Sequence, residues 1–302
     1  MTLRVTNKML VTNSLSTLNK GLEQLEYTSG RLAAGKKLLV PSDDPIGTGN
    51  VLRMHRGLAE TRQYVANADY GIGMMLAADS ALTDLTEILQ RARELAVYGA
   101  NGTLPADSLH ALAKEVNELV DHAVQVANST YGGSYVFGGQ ETTKPPYAIA
   151  SSDTEGNIEA MDDYQGSPLP TVVEVGPCST LEINVPGNLV FEKAFEELIS
   201  LRKNLSEGKT DEISSETLGN LDGVISQVLR FQAEVGAKGK RLEITQSRLK
   251  GLDLNLQTLI SKTEDIDVAE AIMMLKMQEN AYRLALDTTA RIIQPTLMDF
   301  LR

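Results

Sequence analysis

Ser247 and Lys250 stand in the run Ser247-Arg248-Leu249-Lys250. On a helix that spacing puts both on one face, where a lysine amine could take the proton of a serine nucleophile. Enzymes built on such a pair carry companion motifs that are absent here. Leu249 moreover falls in an apolar heptad, so the pair reads as a solvated helix face. Gly71-Ile72-Gly73 lacks the third glycine of a dinucleotide fingerprint and follows no strand, which makes it a helix bend or a loop. Asp162 and Asp163 lack calcium-loop spacing. Three histidines (His55, His110, His122) and the single Cys178 leave little material for a zinc or redox site and none for an internal disulfide. His122 reads as a partly buried polar residue near a helix seam, and Cys178 as a small apolar residue of a β-rich segment. The triplets at Asn101, Asn128 and Asn204 fit a glycosylation acceptor by chance. Lys238, Lys240 and Arg241 read as a solvated face, with a groove for an acidic neighbour as the lesser reading. No catalytic, cofactor-binding or metal residue is assigned, no cofactor is expected, and the chain is not read as an enzyme.

The elements carrying these residues are long helices. Val11, Leu15, Leu18, Leu22, Leu25 and Leu32 alternate steps of four and three, with Ser29 in the one polar slot. That stripe is as narrow as a coiled-coil seam, and it needs a partner. Gly35 is a natural stop. In the run Val40-Pro41-Ser42-Asp43-Asp44-Pro45, Asp44 suits an N-cap and Pro45 the first helical position. A second helix runs from there to about Tyr98, and Asn101-Gly102-Thr103-Leu104-Pro105 forms a turn. A third helix carries Leu109, Leu112, Val116, Leu119, Ala123 and Val126 and ends at Tyr131-Gly132-Gly133. Prolines, glycines and β-formers then dominate to about Asn188, with short strands expected at 171–175 and 181–185.

Helical patterning returns near Glu192. Leu242, Leu249, Leu252, Leu256, Leu259 and Ile266 share one heptad frame. Beyond Glu264-Asp265 the frame shifts to Val268, Ile272, Leu275, Tyr282, Leu286 and Ile293, which predicts a break between two helices. The fold class expected is mainly α with a small β insert: N- and C-terminal segments form a long helical bundle or coiled coil, beside an outer β-rich domain. Three domains follow: a terminal coiled-coil assembly domain at 1–40 plus 265–302, a helical rod at 41–138 plus 190–264, and the β-rich outer domain at 139–189. The two terminal seams are assigned to packing between subunits.

The chain has 302 residues and a formal net charge of −12. An acidic surface repels phosphate and anionic lipid headgroups, so neither nucleic acid nor a membrane is an expected partner. The first twenty residues show no apolar signal core or cleavage site. No run of about 18 apolar residues occurs that could cross a bilayer.

Two runs carry a family likeness. Ser29-Gly30-Arg31-Leu32-Ala33-Ala34-Gly35-Lys36-Lys37 followed by Pro41-Ser42-Asp43-Asp44-Pro45, and Arg91-Ala92-Arg93-Glu94-Leu95-Ala96-Val97 followed by Ala100-Asn101-Gly102-Thr103, resemble conserved blocks of the flagellin superfamily. Asp44-Pro45, Gly133-Ser134-Tyr135-Val136-Phe137-Gly138-Gly139 and the terminus Ala290–Leu301 are similar to its hook-associated protein 3 branch, the hook–filament junction proteins. The likeness covers residues 1–140 and 190–302. The opening Met1–Thr6 departs somewhat from the usual start. The resemblance implies an exported structural subunit of the bacterial flagellum, extracellular and carrying no cleaved signal. Its partners would be a ring of its own copies, the neighbouring hook-associated junction protein, flagellin, and an export chaperone gripping Leu275, Tyr282 and Leu286. Flagellin itself is the nearest alternative, and an exported binding or adhesion module presenting the β insert is another.

Overall fold

The computed structural model describes residues 7–101, 104–152 and 157–293. The opening six residues, the middle of the Asn101–Pro105 turn and the terminal run from Gln294 onward lie outside the described residues. Helices α1 (Asn7–Ala34), α2 (Pro45–Gly99) and α3 (Ala106–Ala127) precede six short strands. These pair as three antiparallel hairpins: β1 (Thr130–Tyr131) with β2 (Ser134–Tyr135), β3 (Ile149–Ser152) with β4 (Ile158–Met161), and β5 (Val172–Gly176) with β6 (Ser179–Glu182). Then come α4 (Glu192–Glu207), the single turn α5 (Thr210–Glu212), a π-turn at Ile213–Thr217, α6 (Leu218–Glu264) and α7 (Val268–Ile293). The class is mainly α with small antiparallel strand pairs, as the patterning requires. Packing divides the chain into one unit of Met1–Glu60 with Asp253–Arg302 and another of Thr61–Leu252.

In the terminal unit the sequence signals act where they stand. Gly35 is left-handed (φ +67°), and its N–H donates to Leu32 O while that of Lys36 donates to Arg31 O, a Schellman closure of α1. Asp44 Oδ1 accepts from the N–H groups of Ile46 and Gly47 at 3.1 and 2.9 Å, so it caps α2 with Pro45 in the first turn. Asp267 Oδ1 accepts from Ala269 and Glu270 and caps α7 in the same way. The frame shift after Glu264 is the gap between α6 and α7.

In the larger unit one apolar core joins α2 (Met74, Leu82, Leu85, Leu89), α3 (Val116, Val120), α4 (Leu198, Leu201, Leu205) and α6 (Leu221, Val228) with Val175, Ile183 and Val185 of the insert. Gly71 and Gly73 neither bend α2 into a loop nor end it. They let neighbours close in: a Cβ on Gly71 would stand 2.8 Å from Ile183 Cγ2, and one on Gly73 would collide with the Tyr131 ring. The third helix ends at Ala127, four residues short of its expected end at Tyr131, because Thr130–Tyr131 turn into a hairpin. Gly132 and Gly133, both at positive φ, supply the tight turn that its right-handed twist demands. The β5–β6 hairpin realises the expected strand pair shifted to 172–176 and 179–182. Hairpins β1–β2 and β3–β4 escaped the pattern reading, since strands of two to four residues leave no alternation to see. Cys178 is exposed in the β5–β6 turn at φ +57°, so it is a turn residue and not an apolar filler. His122 is likewise exposed, on α3.

Candidate functional site: the terminal helix pair

Helices α1 and α7 pack against each other along their length. On α1 the half-buried or buried positions, besides Arg31, are Val11, Ser14, Leu18, Gly21, Leu25, Thr28 and Leu32. On α7 they are, besides Glu279, Ala271, Leu275, Gln278, Tyr282, Ala285 and Thr289. Both series step by three and four, so the pair is seamed like a coiled coil. The seam matches a large ring to a glycine: a Cβ on Gly21 would stand 3.4 Å from Tyr282 Cδ2. Its interior is thin in apolar bulk, with Leu18 its one deeply buried leucine at 9% exposure.

The twelve positions assigned from sequence therefore divide. Val11, Leu18, Leu25, Leu32, Leu275 and Tyr282 lie along the seam. Leu15 (48% exposed), Leu22 (40%), Val268 (53%), Ile272 (46%) and Leu286 (42%) stay on the outside. The Ile293 side chain lies outside the described residues. Sequence reasoning passed over Met273, Met277 and Leu284, which are also exposed on α7. Their signal was the number of large apolar residues on α7, more than one seam can hold. Exposed apolar side chains are thus numerous on this helix pair.

At the base of the pair the two chain segments are latched. Lys37 N–H donates to Glu264 O and Ile266 N–H to Gly35 O at 3.1 Å. Lys36 Nζ meets Glu264 Oε1 at 2.5 Å, and His55 Nε2 lies 3.1 Å from Glu264 Oε2. The Lys36 ammonium, helped by His55, holds the Glu264 carboxyl below its usual range against the opposing effect of burial. The same bond raises the Lys36 amine.

The remaining candidates stand on exposed helix faces or in ion pairs within the chain. Ser247 and Lys250 are both exposed on α6. Lys238 is held by Glu182 and Glu234 at 2.7 and 2.8 Å and Lys240 by Glu243 at 2.8 Å, so these two lysines are neutralised within the chain. Among the described residues no group of side chains could hold a metal ion, and no helix is long and apolar enough to cross a membrane.

The family model of the bacterial flagellin N-terminal helical region matches residues 5–142, and that of the C-terminal helical region matches residues 218–301. Flagellar hook-associated protein 3 of Escherichia coli (strain K12) is 23% identical over 293 residues, covering 91% of this chain and 92% of its own length. The flagellin of Listeria innocua is 24% identical and covers 88% of each chain. Among solved structures, a putative flagellar hook-associated protein from Vibrio parahaemolyticus superposes with a TM-score of 0.60 at 19% identity, over 74% of this chain and 100% of its own.

Proposed function

Since the chain belongs to the bacterial flagellin family, by its helical regions at residues 5–142 and 218–301, we propose that it is a structural subunit of the flagellum forming the junction between hook and filament. The observation that carries the reading is the apolar ridge of Leu15, Leu22, Val268, Ile272 and Leu286, left exposed on a helix pair whose inner seam these residues do not enter. Such a ridge is covered when copies stack, so the terminal helices are the assembly surface and the polymer is their partner. Hook-associated protein 3 of Escherichia coli, similar over nearly the full length of both chains, favours the junction over the filament. So do the Asp44-Pro45 and Gly133–Gly139 motifs. In this reading residues 1–40 with 265–302 form the assembly domain, 41–138 with 190–264 the rod, and 139–189 an outer β-rich domain. The partners are further copies in a ring, the neighbouring hook-associated protein, flagellin, and an export chaperone at Leu275, Tyr282 and Leu286. The protein works outside the cell, reaches the flagellum without signal cleavage, and catalyses nothing.

The similarity to the Listeria innocua flagellin, nearly as extensive, favours the filament subunit as second reading. One pair of observations separates them. Cells lacking this chain should carry hooks while shedding flagellin into the medium, and the purified protein should not grow long filaments. Filaments seeded by the pure protein, or deletion cells that still bear filaments, would refute the junction assignment.

A further inference from the structure

Methionine is a residue that protein cores usually hold. Met74 and Met75 follow that habit in the core of the larger unit, at 1% and 2% exposure. Helix α7 departs from it. Met273, Met274 and Met277 leave 65, 47 and 68% of their surfaces in solvent, all within about one turn. The positions that meet α1 there are Ala271, Leu275, Gln278 and Tyr282. At 3.6 residues per turn Met273 and Met277 point away from these, on the same side as the exposed Leu284. Val268, Ile272 and Leu286 lie on another side of the helix, so the methionines are not part of their ridge.

Leucine would make this side of α7 equally apolar and chemically inert. A thioether is not inert. Its sulfur gives an electron pair to one oxygen of hydrogen peroxide, the O–O bond breaks, a sulfoxide forms, and the second oxygen leaves as water. Sulfur is oxidised by two electrons and the peroxide is reduced by two. Peroxide is uncharged, so the net charge of −12 does not repel it. The product is a polar, chiral side chain in place of a flexible apolar one. Because these three side chains already stand in solvent, the reaction opens no core, and it changes what the surface of α7 can adhere to.

We propose that Met273, Met274 and Met277 form a peroxide-sensitive modification site that converts the side of α7 remote from α1 from apolar to polar. The proposal is independent of the junction assignment, since neither its chemistry nor its test needs a second copy. The full-length protein is treated with hydrogen peroxide, sampled over time for peptide mass mapping, and run on a phenyl column in falling ammonium sulfate. Met273 and Met277 should each gain one oxygen at least about tenfold faster than Met74 and Met75. The oxidised protein should elute at higher salt than the untreated one, with unchanged circular dichroism. Methionine sulfoxide reductases of both types should together restore mass and elution. Met273→Leu/Met274→Leu/Met277→Leu keeps the apolar surface and retains Met9, exposed at 54% on α1, so it separates these three sulfurs from the others. Its elution should not move on treatment. Oxidation of Met273 and Met277 no faster than that of Met74 and Met75, an oxidised wild type that elutes unchanged, or an equal shift in the triple variant overturns the proposal.

Discussion

Replacing Leu22 by Asp tests the exposed ridge while sparing the seam. Leu22 is 40% exposed, whereas Leu18, one helical turn earlier, is 9% exposed. Burying a whole leucine-sized side chain contributes roughly 1.5–3 kcal/mol. Leu15, Leu22, Val268, Ile272 and Leu286 leave 48, 40, 53, 46 and 42% of their surfaces in solvent. Together these make somewhat more than two fully exposed side chains, or roughly 3–7 kcal/mol of association if neighbours cover all of them. Leu22 supplies about 1 kcal/mol of that. Its replacement by a carboxylate adds the cost of desolvating an unpaired charge, about 2 kcal/mol or more even after partial relief by water. Incorporation should therefore weaken at least a hundredfold, at about 1.4 kcal/mol per factor of ten. The assay is incorporation of tagged protein into flagella, beside circular dichroism of the purified chain. Leu22→Asp should keep wild-type helicity and lose incorporation. Leu18→Asp should lose both the α1–α7 pairing and incorporation, leaving the larger unit folded. A motile strain in which Leu22→Asp incorporates like wild type would refute the reasoning.

The latch around Glu264 makes the terminal unit sensitive to acid. Because the folded carboxyl titrates below its ordinary value near 4.5, the latch contributes in full above that value and is lost as pH falls through the folded one. Amide exchange at Lys37 and Ile266 should accelerate across that window in the wild type, and Glu264→Gln should show the fast rate at neutral pH as well. Gly139→Ala should be among the most damaging small changes in the larger unit: its φ is +65° and the added methyl would stand 1.9 Å from the Ser167 carbonyl oxygen. A loss of about 2–4 kcal/mol is expected, read as a drop in the thermal midpoint. Asp44→Ala removes the cap of α2 and should cost about 1 kcal/mol by the same measurement.

Much of this architecture is legible in the residues, because helix ends are written locally. Gly35 stops α1, Asp44 and Pro45 start α2, and the shift of frame after Glu264 separates α6 from α7. What is not legible is which side of a helix meets its sister. The pattern favoured Leu15 and Leu22 over Ser14 and Gly21, since leucine outranks serine and glycine on any apolar scale. The structure turns the smaller pair inward, because Tyr282 fills the space opposite Gly21. That complementarity belongs to two segments far apart in the chain, and no single-helix periodicity contains it.

A seam made wholly of leucines would close α1 on α7 as a finished hairpin, with no reason to seek further copies. Here Ser14, Gly21, Thr28, Gln278 and Thr289 occupy inner positions, and large apolar side chains, Leu15, Leu22, Ile272, Met273 and Leu286 among them, remain outside. The pair is thus weakly held alone, and under the proposed function neighbours that cover the ridge stabilise it further. The net charge of −12 opposes approach at distances up to the Debye length, about 8 Å at physiological salt, and the ridge acts only at contact. Copies in free solution repel before the ridges touch, whereas copies delivered to an existing end are held within contact range. Under the proposed function, assembly is then favoured at the growing structure and disfavoured elsewhere. Raising the salt should therefore promote self-association of the wild-type protein in sedimentation and should leave Leu22→Asp/Leu286→Asp monomeric. Equal self-association of the two in high salt would show that the ridge does not drive the contact.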